Sequence, residues 1–181
     1  MNFPNANILE VDLTNGTIRK SILDGKTHRL YPGGSALGTY ILLKELKPKV
    51  APLSPENILV FSVSPFTGLP IAGANRITVT TKSPLTNGIG DSQAGGFFPA
   101  YLKGNGWNAL VFKGKAEKPV YLYIDGDKVE LRDASKIWGK VTGDAEELIR
   151  EDLGEKNVDI AQIGPGGENL VKFANVINMC N

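Results

Sequence analysis

Residues 6–23, ANILEVDLTNGTIRKSIL, place two apolar-rich arms on either side of Asn15-Gly16. A two-residue type I′ turn needs positive φ at both central residues, and Asn-Gly adopts that conformation most readily. The stretch therefore predicts a β-hairpin with its turn at Asn15-Gly16. A hairpin joins its two strands antiparallel, so this segment favours antiparallel pairing at the start of the chain.

The same arrangement recurs at residues 118–135, KPVYLYIDGDKVELRDAS, around Asp125-Gly126. In its first arm, VYLYI, apolar residues occupy every second position, which is the period of a strand with one buried face. The pattern predicts a second hairpin with its turn at Asp125-Gly126.

A helical pattern of apolar residues follows the first hairpin. Leu37, Tyr40 and Ile41 fall on one face of a helix, and Pro48 is expected to stop it.

A second helix is predicted over residues 142–153, after the second hairpin. Thr142 is expected to cap its amino end, and Gly154 suits the C′ position beyond its last turn. The apolar stripe of this helix consists of Ala145, Leu148, Ile149 and Leu153.

Each helix is followed by an apolar strand, a loop rich in glycine, and another strand. We interpret residues 1–181 as a single domain with two internal repeats, about residues 1–90 and 107–181, each a hairpin–helix–strand–strand unit. This order predicts an α+β fold with two antiparallel β-sheets and a few short helices. Strands should outnumber helices.

The composition excludes several classes of protein. With 41% apolar and 22% charged residues, the 181-residue chain has the composition of a soluble globular protein. It contains no apolar run near the roughly 20 residues that span a bilayer, so no membrane partner is expected. The formal net charge is +1 without a Lys/Arg run, so nucleic acid is not expected as a partner. The amino terminus lacks the pattern of a secretory signal, which predicts a cytoplasmic protein.

Cys180 is the only cysteine and His28 the only histidine. A [4Fe–4S] cluster needs four thiolates, and a structural zinc site needs four Cys or His ligands, so this chain completes neither. His28 is predicted to lie in a solvated loop, and Cys180 is interpreted as an incidental small residue.

A possible anion site lies in residues 91–106, DSQAGGFFPAYLKGNG. If a helix begins near Gly95-Gly96, as Pro99 in its first turn would permit, its free amides would point towards an anion. Arg76, at the start of a predicted strand, could add a bidentate donor. From residue chemistry alone, a pair of glycines used for close packing and a solvated arginine remain open alternatives.

Across its whole length the sequence resembles the N-terminal domain of the tungsten-containing aldehyde ferredoxin oxidoreductase family. Many short patterns carry this resemblance in the same order. They include LEVDLTNG (9–16), YPGGSALG (31–38), PLSPENILVF (52–61), NRITVTTKSPLT (75–86), AGGFFPAYLKGNGWNALVFKGKAEKPVYLYI (94–124), VELRDASKIWGK (129–140) and IGPGGENLVKFANVIN (163–178).

The resemblance implies that two sheets related by a pseudo-twofold support a tungsten, or molybdenum, ion held by two pterins. A magnesium ion would bridge the pterin phosphates. The resemblance further implies cofactor-binding roles for Arg76, Gln93, Ala94, Gly95 and Gly96, with no catalytic residue in this domain. Gln93 is the implied magnesium contact, at a position where the family commonly has asparagine.

For the full-length protein, the resemblance implies oxidation of aldehydes to carboxylic acids, with electrons passing through a [4Fe–4S] cluster to ferredoxin. The cluster and the proton-transfer residues are expected in later domains, so the present domain should be inactive by itself. A homo-oligomer is expected, and apolar surface left uncovered by missing domains should favour self-association.

Two other functions remain open at this point. One is a non-catalytic anion-binding or subunit-docking module, in which Arg76 and the Gly95-Gly96 amides hold another phosphate. The other is a family relative with a different substrate, such as an enzyme that reduces an activated aromatic acid.

Overall fold

The structure is a computed structural model that describes residues 3–178. Its strands are β1 (Ala6–Asp12), β2 (Thr17–Leu23), β3 (Ile58–Val63), β4 (Ile77–Lys82), β5 (Ile89–Ala94), β6 (Ala109–Lys113), β7 (Val120–Asp125), β8 (Lys128–Asp133), β9 (Ala161–Gln162) and β10 (Ile177–Asn178). Its helices are α1 (Gly25–Leu30), α2 (Gly34–Glu45), α3 (Phe98–Gly104), α4 (Thr142–Leu153) and α5 (Pro165–Glu168). Strands outnumber helices in this range, and the predicted α+β class is confirmed. None of these helices is long and apolar enough to cross a lipid bilayer.

Six strands form one large sheet in the order β2-β1-β6-β3-β4-β5. β1 and β6 run parallel, whereas the other neighbours run antiparallel. The β7–β8 hairpin and the β9–β10 pair form two further sheets of two strands each. The arrangement therefore differs in detail from the predicted pair of antiparallel sheets. The parallel pair arises because β6 returns from far along the chain to the middle of the first sheet, which a local turn signal does not reveal.

Both faces of the large sheet are covered, because neighbouring residues of each strand point to opposite faces. α2 lies over one face and, as predicted, buries Leu37 and Ile41 there. α3 and the β7–β8 hairpin cover the other face, where Leu102, Trp107 and Leu110 are buried. The sheet thus separates two hydrophobic clusters and gives the molecule a rigid centre.

The first hairpin is present, but its turn is wider than predicted. Asp12 pairs with Thr17, so the connection is a longer loop rather than the two-residue type I′ turn expected at Asn15-Gly16. Gly16 has a positive φ of 64°. The Asp12 carboxylate accepts hydrogen bonds from the backbone amides of Thr14 (2.9 Å) and Asn15 (3.2 Å). This side-chain acceptor stabilises the longer loop.

The second hairpin is also present, with its turn one residue further along the chain. Asp125 pairs with Lys128, so Gly126 and Asp127 are the central residues. Of these two, only Gly126 has a positive φ (58°), as a type II′ turn requires at its first central position.

α4 closely follows the predicted bounds. Thr142 is its first helical residue, whereas Val141 occupies the N-cap position without a side-chain hydrogen bond, so the predicted Thr142 cap is wrong. Gly154 adopts the left-handed conformation at the carboxyl end, with φ 64°, as predicted. Ala145 and Ile149 are buried on its inner face.

The prediction that His28 lies in a solvated loop is wrong. His28 lies in α1, and only 2% of its surface is exposed. Its Nδ1 atom lies 2.8 Å from the carbonyl oxygen of Pro4, and the ring of Phe3 packs edge-on against it. A segment more than twenty positions earlier therefore covers the histidine, which its own sequence neighbours do not indicate. Cys180 lies outside the described residues.

Both halves contain, in order, a hairpin, a helix (α2 or α4) and two strands. The first half also has α1 and β5, and the second half has α5 between β9 and β10. Residues 57–78 also align without a gap with residues 157–178. Identical residues at matching positions are Asn57 and Asn157, Pro65 and Pro165, Ala74 and Ala174, Asn75 and Asn175, and Ile77 and Ile177. One difference is that β6 completes the first sheet, whereas the second-half strands form two separate pairs. The duplication of residues 1–90 and 107–181 stays a prediction, which superposition of the two halves would test.

Candidate functional site

The site residues predicted from the sequence meet at one corner of the large sheet. β4 and β5 pair so that Ile77 lies opposite Ala94. Arg76 immediately precedes β4 and Gly95 immediately follows β5, so the two lie at the same end of this antiparallel ladder. The pairing therefore brings Arg76 and residues 93–96 together.

Gly95, Gly96 and Phe97 connect β5 to α3. The helix begins at Phe98, slightly later than the glycine pair, and Pro99 lies in its first turn as predicted. Among residues 3–178, no hydrogen-bond acceptor is found for the backbone amides of Gly95, Gly96 or Phe97. Within the part of the chain that the structure describes, these three donors are left for a ligand.

The two glycines of this connection have different roles. Gly96 has a φ of 109°, a region that glycine occupies without strain and other residues rarely adopt. Gly95 does not have a positive φ, and a Cβ placed on it would have its nearest neighbour, the carbonyl oxygen of Asn75, at 3.8 Å. Gly95 is also exposed. The backbone conformation requires Gly96, whereas Gly95 leaves room for a group that approaches from solvent.

Two asparagines hold the surroundings of this connection in place. The side-chain amide of Asn178 donates a hydrogen bond of 2.8 Å to the carbonyl oxygen of Gly95. The Asn75 side chain accepts one of 2.9 Å from the backbone amide of Gly68. The sequence alone identifies neither as a site residue, because Asn178 is 83 positions from Gly95. The one signal for Asn75 is the recurrence of Ala-Asn at 74–75 and 174–175.

Arg76 presents its guanidinium without a partner in the described part of the chain. The residue is exposed, and neither a salt bridge nor a side-chain hydrogen bond to residues 3–178 is found for it. Its backbone is fixed by a hydrogen bond of 2.9 Å from its amide to the carbonyl oxygen of Ala74. A guanidinium with free donors can bind a phosphate through two parallel hydrogen bonds.

Gln93 is exposed on β5, opposite Thr78. A Cβ built on Gly34 would lie 3.3 Å from the Oγ1 atom of Thr78. The cross-strand pair of Gln93 and Thr78 therefore lies beside the first turn of α2. Gly33, the N-cap residue of α2, provides no side-chain cap. The amino end of α2 thus adds uncapped backbone donors to the same corner, a contribution not predicted from the sequence.

The described residues offer few ligands for a metal ion. Within residues 3–178, no group of three or more His, Cys, Asp or Glu residues could hold one. Asp91, on the same face of β5 as Gln93, accepts hydrogen bonds from the hydroxyls of Ser35 (2.8 Å) and Thr80 (3.2 Å). A single amide oxygen from Gln93 suits Mg²⁺, which commonly keeps several waters and takes substrate phosphates as further ligands.

Lys103 and several exposed apolar side chains surround this corner. The Cγ atom of Lys103 lies 4.0 Å from the position of a Cβ on Gly68, and burial lowers the pKa of its ammonium group. Exposed apolar side chains on the adjoining loop and α3 are Phe66, Leu69, Ile71, Phe97 and Tyr101. Apolar surface around a few convergent polar groups is typical of a binding site or an interface.

The chemistry of this corner fits the phosphate-bearing pterin cofactor that the sequence resemblance implies. The amides of residues 95–97 and the Arg76 guanidinium, for which no partner is found among residues 3–178, supply donors for phosphate oxygens. The open space beside Gly95 permits a bulky group to approach the backbone. The residues of this corner therefore suit a phosphate-bearing cofactor.

The sequence matches the family model described as "Aldehyde ferredoxin oxidoreductase, N-terminal domain" over residues 8–181. It is 48% identical over 171 residues to the tungsten-containing aldehyde ferredoxin oxidoreductase of Pyrococcus abyssi. It is 47% identical over 170 residues to the enzyme of the same name in Pyrococcus furiosus. Each alignment covers 94% of this chain and 28% of the relative, so the chain spans little more than a quarter of their length.

Two further similarities extend the comparison to proteins with other names. The chain is 36% identical over 188 residues to the "Aliphatic sulfonate oxidoreductase, WOR-like subunit" of Pyrococcus furiosus, covering 96% of this chain and 30% of that protein. A solved structure, the active site complex BamBC of benzoyl coenzyme A reductase with 1,5-dienoyl-CoA, matches with a TM-score of 0.93 and 41% identity. That match covers 96% of this chain and 26% of the other. The chain therefore belongs to the aldehyde ferredoxin oxidoreductase family, whose N-terminal domain it represents.

Proposed function

We infer that this chain is the cofactor-holding N-terminal part of an enzyme that oxidises aldehydes to carboxylic acids at a tungsten bis-pterin centre. Support comes from two relatives at 47–48% identity that are named tungsten-containing aldehyde ferredoxin oxidoreductases. The chain spans 28% of their length. The substrate pocket and the electron path are therefore assigned to other parts of the full-length protein.

The observation that carries this proposal is that the guanidinium of Arg76 and the amides of residues 95–97 lie at the same sheet corner and have no partner within the described range 3–178. Exposed donors of this kind are costly to bury unless an anionic group satisfies them. A pterin phosphate is such a group, and it would make the corner a junction between this domain and the cofactor.

Each residue at the corner has a proposed role in binding. Arg76 would hydrogen-bond one pterin, and the amides of Gly95 and Gly96 would hold phosphate oxygens. Ala94, at the end of β5, would support this contact through its backbone, and Gln93 would offer its amide oxygen to magnesium. The bound tungsten centre supplies the redox chemistry, while these residues bind and orient it.

The remaining parts of the enzyme are proposed for the full-length protein. They comprise a [4Fe–4S] cluster in later domains, ferredoxin as the electron acceptor, a cytoplasmic location and assembly as a homo-oligomer. Molybdenum in place of tungsten remains an alternative for the metal.

Cofactor content of the full-length protein tests the proposal. Wild-type protein purified from its native host should contain tungsten or molybdenum together with pterin, measured by mass spectrometry and by fluorescence of the oxidised pterin. Arg76→Ala should lower both contents, whereas Arg29→Ala, at another exposed arginine, should leave them unchanged. Folded wild-type protein without metal and pterin would overturn the function. Full cofactor content in folded Arg76→Ala would overturn only the assigned site.

A second candidate is reduction of an aromatic acyl-coenzyme A. Its support is the 41% identity and TM-score of 0.93 to the benzoyl coenzyme A reductase complex, which is close to the identities of the aldehyde-oxidising relatives. Assaying one full-length preparation with a series of aldehydes and with dienoyl- and benzoyl-coenzyme A separates the two. Activity with the thioesters alone would favour this candidate.

A non-catalytic anion-binding or docking module is the third candidate, but the relatives described above all carry oxidoreductase names. A downstream CxxCxxxC segment in the same reading frame would support the enzyme, and a full-length protein without one would support the module.

A further inference from the structure

The amino end of α2 carries three backbone amides without an acceptor. Among residues 3–178, no hydrogen bond is found for the amides of Gly34, Ser35 and Ala36, the first three residues of this helix. The N-cap residue, Gly33, has no side chain that could satisfy them. α2 is 12 residues long, and the amino end of such a helix carries a partial positive charge. A helix end alone does not make a binding site, because water can satisfy exposed amides.

A buried hydroxyl without a partner faces this helix end. Thr78 of β4 is only 4% exposed, and no hydrogen-bond partner of its Oγ1 atom is found within the described range. That atom lies 3.3 Å from the position of a Cβ on Gly34. Buried hydroxyls are normally hydrogen-bonded. An unpaired one next to unpaired amides therefore points to a ligand that accepts hydrogen bonds from both.

Two glycines keep the space between the helix end and Thr78 open. A Cβ on Gly33 would lie 2.2 Å from the carbonyl oxygen of the last residue of β3, so only glycine fits where α2 meets that strand. Gly34 has a φ of 54°, and a side chain there would project towards the Thr78 hydroxyl. The carbonyl of Gly34 accepts a hydrogen bond of 2.8 Å from Ser62, which holds the planar peptide unit that also carries the Ser35 amide.

Asp91 lies beside this helix end and opposes the binding of an anion. Its carboxylate accepts hydrogen bonds from the hydroxyls of Ser35 and Thr80, and none is found from the backbone amides of α2. The amides therefore stay unpaired although a carboxylate is close. The exposed Arg76 precedes Thr78 by two residues and has no ion-pair partner among residues 3–178, so it supplies a compensating positive charge at this end of β4.

We propose that the amino end of α2 and the Thr78 hydroxyl form an oxyanion site, in addition to the amides of residues 95–97. Its ligand is a tetrahedral phosphate or sulfate group, which can accept hydrogen bonds from three amides and one hydroxyl. Gln93 is exposed and lies opposite Thr78, so its side-chain amide can donate from the neighbouring strand. The site is defined by donors of this chain and does not depend on the enzymatic function proposed above.

Two sources supply such a group: free inorganic phosphate or sulfate, and a phosphate of a bound cofactor. Crystals of the full-length protein, prepared with and without cofactor and soaked in selenate, distinguish them. Selenate is a tetrahedral dianion whose selenium atom is located by anomalous scattering. In cofactor-free protein, a selenium peak should lie within hydrogen-bonding reach of Thr78 Oγ1 and the amides of residues 34–36.

The cofactor-loaded crystals then identify the source. The same selenium peak there assigns the site to a free oxyanion, whereas a cofactor phosphate at this position assigns it to the cofactor. No selenium peak in the cofactor-free crystals would overturn the proposal. Protein that never contains a cofactor would overturn the proposed function and leave this test intact.

Millisecond hydrogen exchange of the cofactor-free full-length protein measures the affinity in solution. Inorganic phosphate should slow the exchange of the amides of residues 34–36, and the concentration at half-protection gives the dissociation constant. Thr78→Val should raise this constant about tenfold, because a hydrogen bond to a charged group is lost. Thr81→Val is the matched control on the opposite face of β4, where Thr81 donates a hydrogen bond of 2.8 Å to Ile58. The control should reduce stability and leave the constant unchanged.

Asp91→Asn should change the affinity in the opposite direction. Removal of the negative charge beside the site should lower the dissociation constant about fivefold, because like charges a few ångströms apart repel each other. A folding defect would not tighten binding, so this variant separates a local effect from a general one. Equal constants for wild type and Thr78→Val, weaker binding by Asp91→Asn, or no protection of residues 34–36 by phosphate would each overturn the proposal.

Discussion

The side-chain amide of Asn178 donates a hydrogen bond of 2.8 Å to the carbonyl oxygen of Gly95. Gly95 belongs to the connection between β5 and α3, whereas Asn178 lies in β10, in the second half of the chain. The second half therefore holds a backbone segment that lies between the two proposed repeats. This contact restrains the carbonyl of Gly95, next to the amides of residues 95–97 that have no acceptor among residues 3–178.

Asn178→Ala should lower the tungsten and pterin content of the full-length protein, because the variant lacks the hydrogen bond that holds the carbonyl of Gly95. The loss of one such hydrogen bond should also reduce the free energy of unfolding by about 1 kcal/mol. Asn169→Ala is the matched control, since Asn169 makes the same type of hydrogen bond, at 2.8 Å, to Pro165 in α5. Equal cofactor loss in the two variants would contradict the role of Asn178.

Gly95→Ala should leave folding unchanged and still impair cofactor binding. The new methyl group meets no atom closer than 3.8 Å and requires no left-handed backbone, so the thermal midpoint should not move. The methyl group would nevertheless occupy the space through which a ligand approaches the amides. Cofactor content and circular dichroism of the same preparation check this, and normal cofactor content would contradict the assigned role.

Gly96→Ala should instead destabilise the fold, because alanine is strained at a φ of 109°. The expected cost is about 1–3 kcal/mol in the free energy of unfolding, measured with denaturant. Gly143→Ala is the control, since Gly143 lies in α4 with no atom within 4 Å of the new methyl group. That control should be neutral or slightly stabilising, and an equal loss in both variants would contradict the conformational argument.

The sequence predicted those elements whose signals lie among neighbouring residues. The arms of both hairpins, the buried face of α2 and the left-handed Gly154 follow from local periodicity and turn chemistry. The width of the first turn was not predictable in this way, because Asp12 offers its side chain to the loop as an alternative acceptor. Burial of His28 and insertion of β6 depend on contacts between distant segments.

Sequence analysis identified Arg76 and Gly95 as candidate site residues. It could not explain why the two lie close together. That reason is the pairing of β4 with β5. β5 has the sequence IGDSQA, in which glycine, aspartate, serine and glutamine obscure the strand. Its pairing with β4 and the approach of Asn178 require the assembled fold.

Gly38→Ala should destabilise the packing of α2 on the large sheet. A Cβ at this position would lie 2.2 Å from Oγ1 and 2.7 Å from Cβ of Thr80, so the helix would have to move away from β4. Overpacking of this kind typically costs about 1–3 kcal/mol. Denaturant unfolding should show this loss, whereas Gly104→Ala, with no atom within 4 Å of its new methyl group, should show none. Unchanged stability of Gly38→Ala would contradict the close contact.

Asp159→Asn should stabilise the protein at neutral pH. Burial raises the pKa of Asp159, Arg150 partly opposes this, and the nearby Glu146 raises it further. The folded state therefore binds the Asp159 proton more tightly than the unfolded state does. Its contribution to stability falls as the pH rises from 3.8 through the raised pKa. Thermal unfolding at pH 7 should show a higher midpoint for the variant than for wild type, and the difference should shrink in acid.

Glu10→Gln should change the stability at neutral pH in the direction opposite to Asp159→Asn. Burial acts to raise the pKa of Glu10, but hydrogen bonds from Ser21 and Arg19 outweigh it, so the pKa lies below 4.5. The stability that Glu10 contributes is therefore present above that value and is lost as the pH falls through the lowered pKa. This variant should have a lower midpoint than wild type at pH 7, with a difference that also shrinks in acid. A lower midpoint for Asp159→Asn than for wild type at pH 7 would show that burial of Asp159 does not penalise its charged form, and a higher midpoint for Glu10→Gln would contradict the stabilising role of its hydrogen bonds.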